Sequence, residues 1–595
     1  MERINIVVGI LYLVLVVIVY NAWFLPGVIT GGDLWYFFPS MYDNHQIYPR
    51  LDLFFANNGF GGSSVPFMAI NFVMSIPFLA GKTFGLSWEV LSRIFILFPF
   101  LIAVSLFPYL FFKKVFPDNL LVTLSSFIFT FNTYILMLVS GGLVVIGIAY
   151  SCIPVVFLCV LKILDFKKQN TKFNVNYVLL LGVVFGVQSV LDVRVTYMTL
   201  WGVFLFFVTG IFITREYVSF IKSFLFVFII PLTIAAFLNA FWVIPGLLFG
   251  SNALGELGNN YTTVESVRFF SFAKFENSFS LLHPNWPENI FGKTYFQRPE
   301  FLILPILAFA SLLFVNKDNK KIILPFVIIA IFVSFLAKGA NDPFGSIYIF
   351  LFENIPGFVF FRDPTKWYML IAFSYSVLIP FTLFELYKKF RKARLLIPLL
   401  FVLFFLITLI PAITGKLPGT LQASSVPNEY VQFERFMNNQ QPGRILWIPN
   451  PSRFSYFSQK HPSVSSNMYF DKSKPSEIAR TLDFQKLNTL VSEGVLYVAL
   501  PYDNRGEIFL KDRSYDNTEY EKTLEILENN TNLVKFGEFG RLKLYSVNIK
   551  PTEPILSENK VLYRQSVVDL GAIISIISFF LVVFLLFHMR RKHEK

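Results

Sequence analysis

Apolar runs of about twenty residues recur from one end of the chain to the other, and they set the class of fold before any motif is read. The first, Ile4 to Phe24, has only Glu2 and Arg3 ahead of it and no small-residue cleavage site behind it, so it reads as an uncleaved span. Counting such runs predicts about twelve spans, centred near Val14, Ala103, Phe129, Pro154, Phe185, Phe204, Thr233, Ala308, Ile329, Ser374, Phe404 and Phe580. A chain that is 55% hydrophobic and 15% charged, with 74 Phe among 595 residues, is not an ordinary soluble protein. The expected fold class is a polytopic α-helical membrane protein.

Charge sets the expected topology. Cations follow every second span: Lys113 and Lys114; Lys167, Lys168 and Lys172; Arg215 and Lys222; Lys317, Lys320 and Lys321; Lys388 to Arg394; and Arg590 to Lys592. By the positive-inside bias these segments and both chain ends face the cytoplasm, and the remaining loops face outward. The basic surplus of these inner segments roughly accounts for the net charge of +13, so that charge points to topology and to no nucleic acid. Cys152 and Cys159, seven residues apart on one helix, stand about 10 Å apart along it, too far to bridge.

The outer loops hold the residues of interest. The longest, 25–88, carries GGDLWYFFP with Asp33 just beyond the first span, and a run from Val65 to Gly81 interrupted by Pro77 that reads as an interfacial or re-entrant helix. Asp33 is either a functional carboxylate or a solvated loop residue or cap. Asp192 and Arg194 mark another outer boundary, two residues apart and so not expected to face each other on a helix; they read as a short polar turn or as possible substrate-binding groups. In LLHPNWPENIFG, His283 and Glu288 are candidate polar groups and Trp286 a headgroup-level ring. Before the tenth span comes FFRDPTKW, in which Pro364 suits the first helical turn and places Lys366 at the positive end of the helix dipole. A cation there favours a bound anion such as phosphate; the alternative is a snorkelling anchor.

From residue 415 to 565 the sequence turns polar and loop-rich, which predicts an extracytoplasmic α/β domain between a membrane domain (1–414) and a final span with a basic tail (566–595). Strands are expected at Arg444 to Pro449, Val495 to Leu500 and in a hairpin from Leu533 to Val547. Helices are expected at Glu429 to Asn438, Ser476 to Leu490 and Tyr520 to Asn529. The domain holds no Walker loop, GxGxxG, GxSxG or HExxH motif, so it is expected to position a substrate.

Transfer of a sugar from a lipid phosphate to a hydroxyl needs a carboxylate to take the proton and cations to hold the leaving phosphate. Asp33 supplies the first, and Arg362 with Lys366 the second. Trp35, Tyr36, Trp286 and Trp367 suit stacking on a sugar or lining a lipid groove. One span, then a long outer loop with an early acid, then many spans and an outer domain resembles the GT-C superfamily of lipid-phosphate-sugar glycosyltransferases. FFRDPTKW and the late α/β domain closed by a final span look most like its YfhO-like and arabinofuranosyltransferase-D-like branches. The resemblance implies an inverting transfer from a polyprenyl-phosphate sugar to an envelope glycan, lipid or protein in a plasma membrane. It makes Asp33 the base and Arg362 with Lys366 the phosphate cations. The chain lacks the WWD motif and any DxD or ExD pair in its outer loops, so no divalent metal or other cofactor is expected, with Asp43 and Asp52 as weak second ligands. Rival readings are a carrier or flippase for a lipid-linked saccharide, or an envelope scaffold.

Overall fold

The computed structural model describes residues 2–31, 33–44, 65–164, 175–214, 220–249, 263–280, 288–289, 292–293, 302–390, 396–410, 422–458, 460–466, 469–470, 474–503, 517–549 and 558–593. The chain is a multi-pass helical membrane protein. Each of the twelve expected span centres falls on an apolar helix. Among the described residues, seven helices have the length and apolar character to cross a membrane, and eight do if the bent pair Asn119–Phe131 and Thr133–Ser140 counts as one span. Three of the four missing from twelve have a physical cause: Val175–Leu191, Ile303–Phe314 and Leu396–Ile407 are apolar but shorter; the fourth is the first helix, Glu2–Val19. The bend itself has a polar origin, since Asn132 leaves the helix and caps the next one through Oδ1 to Ile135 N at 3.0 Å. The segment interrupted by Pro77 forms a single helix, Val65–Phe84, that runs through the proline.

At the centre lies Tyr368–Lys389, buried over most of its length and packed against Lys320–Ala337, Asn119–Phe131 and Ile303–Ala310. Lipid gives helices little hydrophobic drive to associate, so packing has to hold them. Interlocking rings supply it: Phe373 meets Phe157 at 4.9 Å, Phe111 at 5.2 Å and Phe326 at 5.3 Å. The last helix, Glu558–His593, exposes Ile573, Ile577, Phe580 and Phe584 and packs mainly on Ala240–Phe249.

Short strands tie distant parts together. In chain order they are β1 (Val28–Thr30), β2 (Glu288–Asn289), β3 (Gly292–Lys293), β4 (Gln422–Ser424), β5 (Arg444–Trp447), β6 (Ser463–Ser465), β7 (Val495–Leu500), β8 (Leu533–Phe539) and β9 (Leu542–Val547). β1 pairs antiparallel with β4, Val28 opposite Ser424. The last five form one sheet in the order β6-β5-β7-β9-β8, with β6, β5 and β7 parallel and the hairpin β8–β9 antiparallel. The expected helix Ser476 to Leu490 is two helices, Pro475–Arg480 and Phe484–Ser492, because Asp483 caps the second by accepting from Lys486 N at 2.8 Å. One sheet face joins the core of the membrane helices through Phe433, Trp447 and Tyr497, while Leu446, Val498 and Tyr545 build a separate core behind it.

Candidate active site

Asp33 sits in a tight turn closed by reciprocal hydrogen bonds between Gly31 and Leu34, at 3.1 and 3.0 Å. Four attachments fix that turn. Arg93 spends its guanidinium on backbone carbonyls upstream: Nε donates to Trp23 O (3.0 Å), Nη2 to Leu25 O (2.5 Å) and Gly27 O (2.8 Å), while Glu89 accepts from Gly27 N (2.8 Å). β1 is zipped to β4. Asp33 N donates to Gly141 O at 3.0 Å, and Tyr36 N to Arg453 O at 3.0 Å. Next to Gly141, Gly142 has φ +87° and no room for a side chain: a Cβ there would fall 2.3 Å from Gly31 O and 2.6 Å from Asp33 N.

The residues after Asp33 are partly consumed by packing. Phe37 lies edge-on to Trp88 at 4.7 Å, and Phe38 faces Tyr456. Trp35 and Tyr36 stay half-buried, with Tyr36 6.1 Å from Phe454. Trp367 is fully buried between Phe358 and Phe361, stacked at 5.8 and 5.0 Å, so it is closed to a sugar.

Asp192 and Arg194 do face each other. Asp192 lies outside the helix Val193–Thr214 and caps it, accepting from Arg194 N at 2.8 Å, which frees its side chain to turn back. Its carboxylate is buried and takes Arg194 Nε at 3.0 and 3.1 Å and Nη2 at 2.5 Å. Burial alone raises the Asp192 pKa, but the Arg194 charge and hydrogen bonds, then Lys366, outweigh it and hold the carboxyl below its ordinary value. Tyr197 ties this helix to the loop before the central span by donating to Pro356 O at 2.9 Å.

That loop builds a second ion pair. Asp363 caps the turn Pro364–Trp367 by accepting from Thr365 N at 3.1 Å and takes Lys366 Nζ at 2.8 Å. The acid therefore compensates the cation at the positive helix end. Tyr134 lies in the field of Asp363. The Arg362 guanidinium lies 5.4 Å from the Phe270 ring centre.

These groups meet around Asp33. Arg194 and Lys366 act on its carboxylate. Asp33 is open to solvent on one side, yet enough protein stands around its carboxylate that desolvation raises its pKa, with Arg194 and then Lys366 pulling it back. Asp192 and Asp363 orient the two cations without exhausting them: Arg194 keeps N–H donors beyond those on Asp192, and an ammonium has three.

The structure thus brings together Asp33, Asp192, Arg194 and Lys366 of the expected residues. His283, Trp286 and Asp52 lie outside the described residues, as does the side chain of Asp43. Among the described residues no three His, Cys, Asp or Glu side chains gather as a metal-binding group. Sequence reasoning missed Tyr134, Gly142 and the Arg93 clamp; the Gly-Gly pair between two apolar runs was the one available signal.

A helical bundle with an acid turn after its first helix and a late α/β sheet is a fold that the chain shares with solved membrane proteins. The chain is similar to the arabinofuranosyltransferase AftD from mycobacteria, with 13% identity and a TM-score of 0.56 over 93% of this chain and 40% of that one. It therefore spans less than half the length of AftD, and the likeness is one of fold. It is also similar to the Archaeoglobus fulgidus oligosaccharyltransferase solved with Zn and sulfate (12% identity, 83% of this chain, 67% of that one, TM-score 0.47). ArnT from Cupriavidus metallidurans bound to undecaprenyl phosphate follows (10% identity, 92% and 98%, TM-score 0.39). No protein-family model matches the chain, and no curated protein does.

Proposed function

We propose that the protein is an inverting membrane glycosyltransferase that moves a sugar from a polyprenyl-phosphate donor to an envelope acceptor on the outer face of a plasma membrane. The observation that carries this reading is the placement of the Asp33 carboxylate in the field of Arg194 and Lys366. Asp33 takes the proton of the acceptor hydroxyl as its oxygen attacks the anomeric carbon. The bond from that carbon to the phosphate oxygen breaks, and the departing polyprenyl phosphate carries the negative charge. Arg194 and Lys366, each aligned by its own carboxylate, hold that charge as it develops. The sequence assigned this charge to Arg362 with Lys366, and Arg194 joins them in the proposal.

A raised pKa suits a general base, because it brings proton affinity closer to working pH. The same reading places both chain ends in the cytoplasm and residues 415–565 outside as a domain on the acceptor side, with 566–595 returning through the membrane. The test is to supply the purified full chain in lipid nanodiscs with polyprenyl-phosphate sugars and follow release of polyprenyl phosphate and the anomeric configuration of the product. Inverted product supports the proposal; retained configuration or no turnover with any donor overturns it.

A further inference from the structure

The parallel strands β5 and β7 are neighbours, and their carboxyl ends run into residues 448–458 and 501–503. In open α/β sheets this edge is where ligands bind. Here it carries a polar group the proposed transfer reaction does not use. Ser452 donates to Tyr430 Oη at 2.8 Å, and Tyr430 donates in turn to the Asp503 carboxylate. Arg453 stands in the field of Asp503 and 5.0 Å over the Phe454 ring, and its buried Nε has no hydrogen-bond partner among the described residues. A charged donor withdrawn from water with nothing to bind is costly, and a ligand oxygen would relieve that cost.

The surroundings are aromatic. Tyr430 lies 6.1 Å from both Phe454 and Tyr502, and Tyr36 lies 6.1 Å from Phe454. Phe454 and Tyr430 are buried as a floor, while Tyr36, Arg453, Tyr502 and Asp503 are half-buried at the surface. A guanidinium and a carboxylate side by side donate to and accept from neighbouring hydroxyls, and a flat ring covers the apolar face of a pyranose or furanose. The edge also lies near the reacting carboxylate. Tyr36 N is bonded to Arg453 O, and the three residues from Asp33 to Tyr36 span at most ~10 Å, a distance a short saccharide covers.

We infer that Arg453, Asp503, Tyr502 and Tyr36 form a saccharide-binding subsite that holds an acceptor glycan with one hydroxyl directed to Asp33. The acceptor role rests on the glycosyltransferase reading; the binding of saccharide does not. The test is equilibrium binding of defined gluco-, manno-, galacto- and arabino-oligosaccharides to the full chain in nanodiscs, read by saturation-transfer NMR. Wild type binds at least one of them, and R453A and D503N each weaken that binding roughly tenfold or more. Tyr502→Ala, which keeps the Ser452, Tyr430 and Asp503 chain intact, gives the same loss and keeps the test open if R453A fails to fold. No binding to wild type by any of these probes, or binding that R453A, D503N and Tyr502→Ala leave unchanged, overturns the inference. Arg453-dependent binding in a protein that transfers no sugar sustains the subsite and sinks the glycosyltransferase reading. Transfer whose acceptor KM is unmoved in R453A and D503N does the reverse.

Discussion

Gly142 presses against the backbone of Asp33 so closely that a Cβ at position 142 would lie 2.6 Å from Asp33 N. Its φ of +87° adds a conformation that side-chain-bearing residues avoid at a cost of about 1–2 kcal/mol. Gly142→Ala must therefore push the acid turn outward. A shift of about 1 Å at a reacting group is worth on the order of a hundredfold in rate. We expect kcat to fall by that order while the thermal midpoint drops by only a few degrees, measured on the purified variant by a transfer assay and differential scanning.

Arg93 holds the same turn from the other side. Its fork reaches three carbonyls between Trp23 and Gly27, a geometry that the compact ammonium of lysine cannot reproduce. Arg93→Lys should loosen residues 23–34 by about 1–3 kcal/mol and lower kcat with donor KM little changed. Hydrogen exchange across that segment is the direct readout, and exchange equal to wild type would deny Arg93 this positioning role.

Asp192 aligns Arg194 and is held below its ordinary pKa. Such a group stabilises the fold fully above the unfolded carboxylate value of about 3.9, and that contribution disappears as pH falls through the lower folded pKa. Asp192→Asn should cost about 1–3 kcal/mol at neutral pH, a value reduced because Arg194 is partly exposed. It should also raise donor KM. Urea unfolding at pH 7 and at successively lower pH follows the stability effect: the gap between wild type and variant closes as pH falls through the lowered folded pKa.

For Asp33 the sign is opposite. Desolvation raises its pKa, so the base is protonated, and transfer falls, as pH drops through a value above the usual carboxylate range. Arg194 pulls that pKa down, so Arg194→Gln should move the acid limb of kcat/KM to higher pH as well as weaken donor binding. A limb that stays in place would remove Arg194 from the electrostatics of the base.

Much of the scaffold is local and so was legible. Apolar length put every span centre on a helix, and alternation put β7 at Val495–Leu500 to the residue. Asp33 and Lys366 were marked by charge at a membrane boundary. What escaped depends on contacts between residues far apart in sequence, or on one helix start. Asp192 and Arg194 could not pair if both were helical; they pair because the helix begins one residue after Asp192. Arg362 and Lys366, four residues apart, looked equivalent, yet the turn at Pro364 sends one to Phe270 and the other to Asp363. The pairing of Val28 with Ser424 and the close fit of Gly142 on Asp33 leave no periodic trace.

Asp33→Asn tests Asp33 as the base with little change in shape. In nanodiscs, with donor binding and sugar transfer measured on the same preparation, the variant should bind polyprenyl-phosphate sugar within about threefold of wild type and lose on the order of 10²–10⁴ in transfer rate. Transfer at the wild-type rate by a variant that still binds donor would contradict it.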